Sequence, residues 1–553
     1  MSWENNFINI YGQECADKWL PSVQKRIQKS KEIMDKMPGR ESGQHIILIT
    51  YPDQFGRAGE KKLVSFEKFS QKYLKGVFDV IHFLPFCPYS SDDGFSVIDY
   101  RKLEDSLGDW EDLQRLGEEF VLMYDFVCNH VSAHSEWFQK CLAGDAKYSD
   151  FFIEADPKED FSQVVRPRTT PLLTRFETCS GGKYYWTTFS RDQIDLNFKN
   201  PAVLCEILDI FLTYIEKGGT WIRLDAIGFL WKEPGTDCMH HPKTHEIVKL
   251  MRSVMEEVCP SGRIITETNV PHEDNISYFG DGTDESHMVY QFPLPMLVLY
   301  SFYRQSAKTL SDWAGKLWLP TGQTTFFNFL ASHDGIGVNP VRGIVPEDEI
   351  GGLIKHLQKK TGALVSYKEN ADGTRSAYEI NVSYFSAVGE DYDFVTAKRR
   401  FLNAHAVLLG MKGNPAIYVH SYLGSENDME GVEKSGMNRS INRKKFDLDE
   451  LEAELESTGR REQIRADMER LIRIRKSRDA FDACAEQEIL TGPEELFQYI
   501  RRGKQSRVLC LHNFSEKEVT VRTLPGTDIF SGETVMGTAE VEAFGFRWIA
   551  VEE

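Results

Sequence analysis

The sequence predicts an α/β chain built as a (β/α)8 barrel, with insertions after the third and seventh strands and a C-terminal antiparallel β domain. Two observations carry the barrel. Short β-branched and aromatic runs recur with helical periodicity between them, as in βα units around a parallel sheet. Acidic residues also stand at the exits of three such runs: Asp225 in WIRLDAIGF, Glu267 in RIITETN and Asp334 in FFNFLASHDGIG. A carboxyl at the end of an apolar strand is destabilising unless it has a task, and in a barrel of this kind catalytic groups gather at the carboxyl ends of the strands.

Taken in order, the first three strands are HIILITYP (45–52), DVIHFLPF (79–86) and FVLMYDFV (120–127), with the amphipathic stretches SFEKFSQKYLKGV and DWEDLQRLGEEF between them. The series pauses near 131, and residues 131–200, rich in charge, Gly and Pro, read as a subdomain inserted over the barrel mouth. It resumes with AVLCEILDIFLTYIEKGG, WIRLDAIGF, KTHEIVKLMRSVMEEV, RIITETN, HMVYQF and TFFNFLAS. A second excursion, 335–400, includes the polar, hairpin-like KENADGTRSAYE, and PAIYVH supplies the eighth strand. The barrel is thus expected over 1–130, 201–334 and 401–481. After a long charged helix signal, ELEAELESTGRREQIRADMERLIRIRKSR, the alternating segments LFQYIRR, RVLCLHNF, EVTVRTL and FRWIAVEE predict a small β domain over 482–553.

Length and charge exclude several functions. The 553 residues allow a substantial core, and a net charge of −19 argues against a nucleic-acid groove or an anionic membrane as partner. Ten cysteines without a CxxC pair fit reduced thiols in a cytoplasmic protein, and no structural zinc is implied. The N-terminus has charges where a signal peptide needs an apolar core, and no apolar run is long enough to span a bilayer. No nucleotide loop, Rossmann glycine pattern or metal cage is evident, so no cofactor and no metal are expected; GDGTDE (280–285) resembles a calcium loop only in composition. His130 and His134 have helical metal-pair spacing but follow a strand and lack the HExxH glutamate, and His240, His241 and His245 read as surface histidines. Composition carries no information on oligomeric state.

Clustered carboxyls suit glycosyl transfer, in which one carboxylate attacks and one carboxylic acid protonates the departing oxygen. Asp225 must be ionised and Glu267 protonated, so their surroundings must separate the two pKa values. Arg223, two residues before Asp225 on the same strand face, can keep Asp225 anionic. The alternative is a structural ion pair at a strand end.

Four motifs on four predicted strands, DFVCNH (125–130), WIRLDAIG (221–228), ITETN (265–269) and ASHDGIG (331–337), resemble the α-amylase superfamily, glycoside hydrolase family 13, and within it the sucrose phosphorylase subgroup. The resemblance implies that Asp225 is the nucleophile, Glu267 the general acid/base and Asp334 the carboxylate that holds the sugar. It implies that His130 and His333 bind glucose hydroxyls, and that Asp53 in ITYPDQFG and Arg443 in SINRKK clamp the O4 side of a single glucosyl unit. VVRPRTTPLL (164–173) matches a phosphate-binding segment of the subgroup, with Arg168 the first choice for inorganic phosphate and Arg166 the second. Two exposed loop arginines are the alternative reading. DDGFSVIDY (92–100) and GGTWIRLDAIGFLWKEPGT (218–236) favour the phosphorylase.

The chain departs from the subgroup on the acceptor side. It has Asn269 where a His is usual and Phe229 where a Tyr is usual, and the loop after HDGIGV reads NPVRGIVPEDE, with Asn339 and Arg342. Such changes predict an intact glucosyl subsite and an acceptor other than plain fructose. An added arginine suits an anionic or small polyol acceptor, and the sister activity glucosylglycerate phosphorylase, with glycerate as acceptor, fits that charge logic. Sucrose, sucrose 6′-phosphate and glucosylglycerol are the other donors to weigh, and Arg342 can equally face solvent. A hydrolase, with water in place of phosphate, and a barrel kept as a non-catalytic scaffold are the competing readings.

Overall fold

The computed structural model describes residues 2–37, 45–369 and 374–551. Eight parallel strands close into a barrel: β1 (Ile47–Thr50), β2 (Val80–Phe83), β3 (Val121–Val127), β4 (Trp221–Asp225), β5 (Arg263–Thr266), β6 (Met288–Tyr290), β7 (Thr325–Phe329) and β8 (Asn414–Tyr418), with β8 returning to β1. These are the eight runs expected, in the expected order. All seven positions of β3 are buried, the pattern of a strand covered by side chains within the barrel and by helices outside it.

The helices that cover the barrel have local reasons to start where they do. Pro201–Glu216 opens on Pro201, with the Asn200 side chain accepting from the Ala202 N–H. Phe394–Gly410 begins at Asp393, whose carboxylate accepts from the N–H groups of Val395 and Thr396. Two helices not foreseen, Trp3–Tyr11 and Gln13–Met34, precede β1 and lie on the outside, where Trp3 Nε1 donates to Glu257 at 3.0 Å and Arg26 is ion-paired with Glu216 at 2.6 Å.

Register fixes the centre of the barrel. Asp125 stands opposite Arg223, Val127 opposite Asp225, and Leu224 opposite Thr266. The Glu267 N–H continues the ladder by donating to the Leu224 carbonyl at 3.1 Å. Residues separated by up to 142 positions thus become neighbours at the carboxyl ends of three adjacent strands, a separation given by 267 − 125.

Between β3 and β4 the chain forms the pair His130–Ser132 with Gln193–Asp195, the helix Glu136–Leu142, and the hairpin Leu173–Thr178 with Gly181–Trp186. After β7, Ile336–Gly337, Leu364–Glu369 and Arg375–Asn381 form a three-stranded sheet, with the helix Glu347–Thr361 between the first two in sequence. The KENADGTRSAYE stretch supplies strand residues on both sides of 370–373, which lie outside the described residues. The C-terminal region is an antiparallel sheet centred on Leu496–Arg502, Arg507–Asn513 and Phe546–Val551.

Two expectations are corrected. The charged stretch predicted as one long helix is two, Leu448–Leu455 and Arg460–Lys476, because the Ser457 hydroxyl turns back to the Glu454 carbonyl and accepts from the Gly459 N–H. His240, His241 and His245 are half-buried rather than on the surface. Each is tied to a local partner, Tyr278 at 2.9 Å, Glu233 at 3.1 Å and Glu285 at 2.8 Å respectively. In GDGTDE, Asp284 is paired with Lys249 at 3.0 Å.

Candidate active site

Arg223 organises the centre. It is 2% exposed; one terminal nitrogen donates to both oxygens of Asp125, at 2.7 and 2.9 Å, and to Asp225 Oδ1 at 2.8 Å. Its Nε donates to the Tyr290 hydroxyl at 3.1 Å, and its other terminal nitrogen lies 3.9 Å from Glu267 Oε2. Asp125 also faces His82 Nε2 at 3.3 Å. One guanidinium therefore serves three carboxylates, and it reaches Asp225 more closely than Glu267.

Electrostatics follow from that asymmetry. Burial pushes Asp225 well above the usual carboxylate range, Arg223 opposes it, and the neighbouring Asp125, Glu267 and Asp334 reinforce it. Burial likewise raises Glu267, again against Arg223. A buried cluster with more carboxylates than cations retains a proton. Both carboxyls are raised, Asp225 the more strongly although the 2.8 Å contact from Arg223 opposes it, so the pair shares the retained proton. Ala226, next after Asp225, sits in the left-handed region at φ 49°, a conformation that costs roughly 1–2 kcal/mol for a residue with a Cβ. Its N–H then donates to Glu267 Oε2 at 3.1 Å.

Asp334 approaches from the loop after β7. Burial would raise it, but Arg439, His333 and Arg443 overcome that and hold it far below the usual range. Arg439 is 2.6 Å from Asp334 Oδ1 and makes a two-pronged contact with the buried Glu379, at 3.0 and 2.9 Å. The segment 438–443 also clasps the loop's backbone: Asn442 Nδ2 donates to the Ser332 carbonyl at 3.0 Å and Arg443 Nε to the His333 carbonyl at 2.8 Å.

The glucose-side candidates divide. His333 is buried, stacks on Phe95 with centroids 4.7 Å apart and planes 6° apart, and has Nε2 3.5 Å from Asp334 Oδ2. Burial lowers its pKa, so the ring is neutral, and Nδ1 has no partner among the described residues. His130 is also buried, but its Nε2 donates to the Phe95 carbonyl at 2.9 Å and its Nδ1 accepts from Asn129 Nδ2 at 3.2 Å. Here His130 is held by the Phe95 carbonyl and Asn129, with Gln193 Nε2 3.2 Å from its Nε2. Asp53 and Arg443, the two expected to clamp the O4 side of the sugar, each have a protein partner of their own. Lys445 takes Asp53 at 2.5 Å, and Arg443 takes Asp93 at 2.6 Å.

On the acceptor side, Asn269 lies against the Cα of Gly337, with its Oδ1 buried and without a partner among the described residues. Arg166 donates to the Thr170 carbonyl of its own loop. The Arg168 guanidinium instead lies over the Tyr378 ring, 5.7 Å from its centroid, close enough to act on Tyr378 and Glu379. Arg342 is ion-paired with Glu347 at 2.5 Å and donates from Nε to Asn339 at 3.3 Å.

Several residues were not foreseen. Asp125, His82 and Tyr290 complete the shell around Arg223, and the single acid inside the apolar run FVLMYDFV was the available signal for Asp125. Lys232, buried 2.6 Å from both Asp195 and Asn129, ties the segment after the β4 aspartate to the insertion after β3. Arg439 and Glu379 had no signal, being ordinary charged residues 60 positions apart. Among the described residues there is no cluster of His, Cys, Asp or Glu able to hold a metal, and no helix long and apolar enough to cross a membrane.

The family profile described as alpha amylase, catalytic domain, matches residues 50–338. Over 512 residues the chain is 50% identical to the glucosylglycerate phosphorylase of Spirochaeta thermophila, covering 90% of this chain and 86% of that one. Over 535 residues it is 46% identical to the glucosylglycerate phosphorylase of Escherichia coli, covering 96% of each. The crystal structure of sucrose 6F-phosphate phosphorylase from Thermoanaerobacter thermosaccharolyticum aligns with a TM-score of 0.77 at 26% identity, covering 91% of this chain and 100% of that one.

Proposed function

Because the chain belongs to the α-amylase family, we propose that its carboxylate cluster works as a retaining α-glucoside phosphorylase, which cleaves glucosylglycerate with inorganic phosphate to α-D-glucose 1-phosphate and glycerate. The observation that carries the chemistry is one guanidinium shared unequally between Asp225 and Glu267. The choice of acceptor is supported by 50% identity to a glucosylglycerate phosphorylase, against 29% to a sucrose 6(F)-phosphate phosphorylase.

Asp225, anionic beside Arg223, attacks the anomeric carbon of the bound glucosyl unit while Glu267 gives its proton to the departing glycerate oxygen. The products of this step are a glucosyl ester on Asp225, free glycerate and an ionised Glu267. Phosphate then enters, Glu267 recovers a proton from it, and its oxygen displaces Asp225 to give the α-configured phosphate ester. Asp334, kept ionised by Arg439, accepts hydrogen bonds from sugar hydroxyls, and His333 offers a neutral nitrogen beside it. Arg168, stacked on Tyr378, supplies positive charge for the phosphate, which three carboxylates would otherwise repel.

The test is a comparison of glucose 1-phosphate formation from glucosylglycerate, glucosylglycerol, sucrose and sucrose 6′-phosphate with phosphate in excess. Glucosylglycerate gives the highest kcat/KM on this reading. Turnover of sucrose alone overturns the acceptor assignment, and glucose release independent of phosphate favours the hydrolase. The scaffold alternative requires loss of the carboxylates, and all three persist.

A further inference from the structure

Lys445 stands at the end of the site farthest from the reacting bond, and the reaction above leaves it unused. Outside the barrel, Phe55–Gly56 pairs with Phe446–Asp447, and Gln54 extends the ladder. The Gln54 side chain donates to the Lys444 carbonyl at 2.6 Å, and its own carbonyl accepts from the Phe446 N–H at 3.0 Å. This register lays Lys445 beside Asp53. The ammonium is 2.5 Å from Asp53 Oδ1 and 3.9 Å from the ring centroid of Tyr51. Tyr51 is buried and lies edge-on to His333, with centroids 6.2 Å apart. A carboxylate on one side and an aromatic face on the other hold the ammonium in place. Asp53 Oδ2 has no protein partner among the described residues.

The closed sheet shows what the pair faces. Around the barrel β1 lies opposite β5, and β8 lies opposite β4. Asp225 ends β4 and Glu267 follows β5, so the bond that breaks lies on that side of the mouth. Asp53 follows β1, and Lys445 comes from the chain after β8. A pyranose with C1 at Asp225 and its departing oxygen at Glu267 turns C4, the ring atom across from C1, toward Asp53. Asp53 shares the lining of a cavity of about 60 Å3 with Asp93 and Glu104. Two like charges so near favour turning its carboxylate away or protonating it, and Lys445, on the same cavity, opposes both.

We propose that Lys445 is a positioning residue for recognition of the sugar's C4 hydroxyl: it holds Asp53 by Oδ1, so that Oδ2 stays ionised and accepts from that hydroxyl. The inference deepens the phosphorylase reading, on which it rests, and concerns the transferred sugar and not the acceptor. The Lys445 side chain is 39% exposed, so its ion pair contributes little to folding and its loss reads in recognition.

The experiment measures kcat/KM of wild type, K445M, K445R and D53N for α-glucosyl fluoride and for 4-deoxy-α-glucosyl fluoride, with phosphate in excess. The leaving group is the same in both donors, so the acceptor side drops out of their ratio. The wild type prefers the donor that has the hydroxyl, and D53N lowers that preference at least about tenfold, the range for losing a hydrogen bond to a charged group. K445M lowers it about threefold to tenfold, seen as a raised KM for glucosyl fluoride, and K445R recovers part of it. An unchanged preference in K445M overturns the inference, as does an equal loss on both donors, which is what a merely structural role gives. A D53N enzyme with the wild-type preference overturns it too, because Asp53 then does not hold the hydroxyl. The wild type separates the two readings: no glucose 1-phosphate from glucosyl fluoride overturns the proposed function and this inference together, whereas its formation with an indifferent K445M overturns this inference alone.

Discussion

Replacing Arg223 by methionine removes the charge that holds Asp225 ionised while keeping most of the side-chain volume. The Arg223 to Asp225 contact is 2.8 Å, so the centres of charge lie about 4 Å apart, where an effective dielectric of about 20 gives on the order of 4 kcal/mol. That energy corresponds to roughly three pH units. Burial already pushes Asp225 upward, so the loss adds to the same direction, and the carboxyl is protonated at pH values where the wild type is ionised. A nucleophile must be anionic, so activity is lost on the acid side and recovers as pH rises. The assay is kcat/KM for glucose 1-phosphate formation from about pH 5 to about pH 9. The acid limb moves upward by as much as about three pH units, and near neutrality activity falls on the order of a hundredfold to a thousandfold. Asp125 loses its partner too, so thermal unfolding shifts downward, in line with the roughly 3–5 kcal/mol lost when a buried pair is broken. R223K keeps a charge but not the fork and falls between the two. A folded R223M enzyme with a wild-type acid limb refutes the reasoning.

Other outcomes are expected. Arg168→Ala raises the KM for phosphate and lowers phosphorolysis at least tenfold while slow hydrolysis of the same donor persists, because water needs no cation; equal losses in both contradict the assignment. Burial raises Glu267, so activity that needs its proton is present at low pH and lost as pH rises through the raised value. Glu267→Gln abolishes that basic limb for a glucosyl fluoride donor, whose leaving group needs no protonation, and a surviving limb assigns it elsewhere. Gly337→Ala places a Cβ 2.7 Å from Asn269 Oδ1 and 2.9 Å from its Nδ2, so Asn269 must move. Steady-state kinetics then show a several-fold rise in KM on the acceptor side, and unchanged kinetics remove Asn269 from the acceptor subsite.

Much of this arrangement was legible because parallel strands covered on both faces read as continuous apolar runs, and a carboxyl at the end of such a run stands out. Asp225, Glu267 and the barrel were visible for that reason. Arg223 was visible because strand alternation puts it on the face of Asp225. What escaped depends on distances that no local pattern encodes. The Arg439 bridge from Asp334 to Glu379 joins a loop, a turn and a hairpin strand, each unremarkable in sequence. Arg443 and Lys445 lie two residues apart with the same charge, and only the fold decides which meets Asp53 and which meets Asp93. His130 lies in a recognisable motif, but its contacts with the Phe95 carbonyl and Asn129 are set by the fold and not by that motif. The break between the two C-terminal charged helices turned on the local hydrogen bonds of Ser457, too weak a signal against strong helical periodicity.

The central claim is that the glucosyl group rests covalently on Asp225 between donor and phosphate. Mass spectrometry of proteolytic peptides from E267Q enzyme, quenched after reaction with α-glucosyl fluoride in the absence of phosphate, tests it most directly. The account predicts one added hexose on the peptide containing Asp225, discharged as α-glucose 1-phosphate when phosphate is supplied and absent in D225N. An unmodified peptide during active turnover, or a D225N enzyme that still forms glucose 1-phosphate, would contradict it.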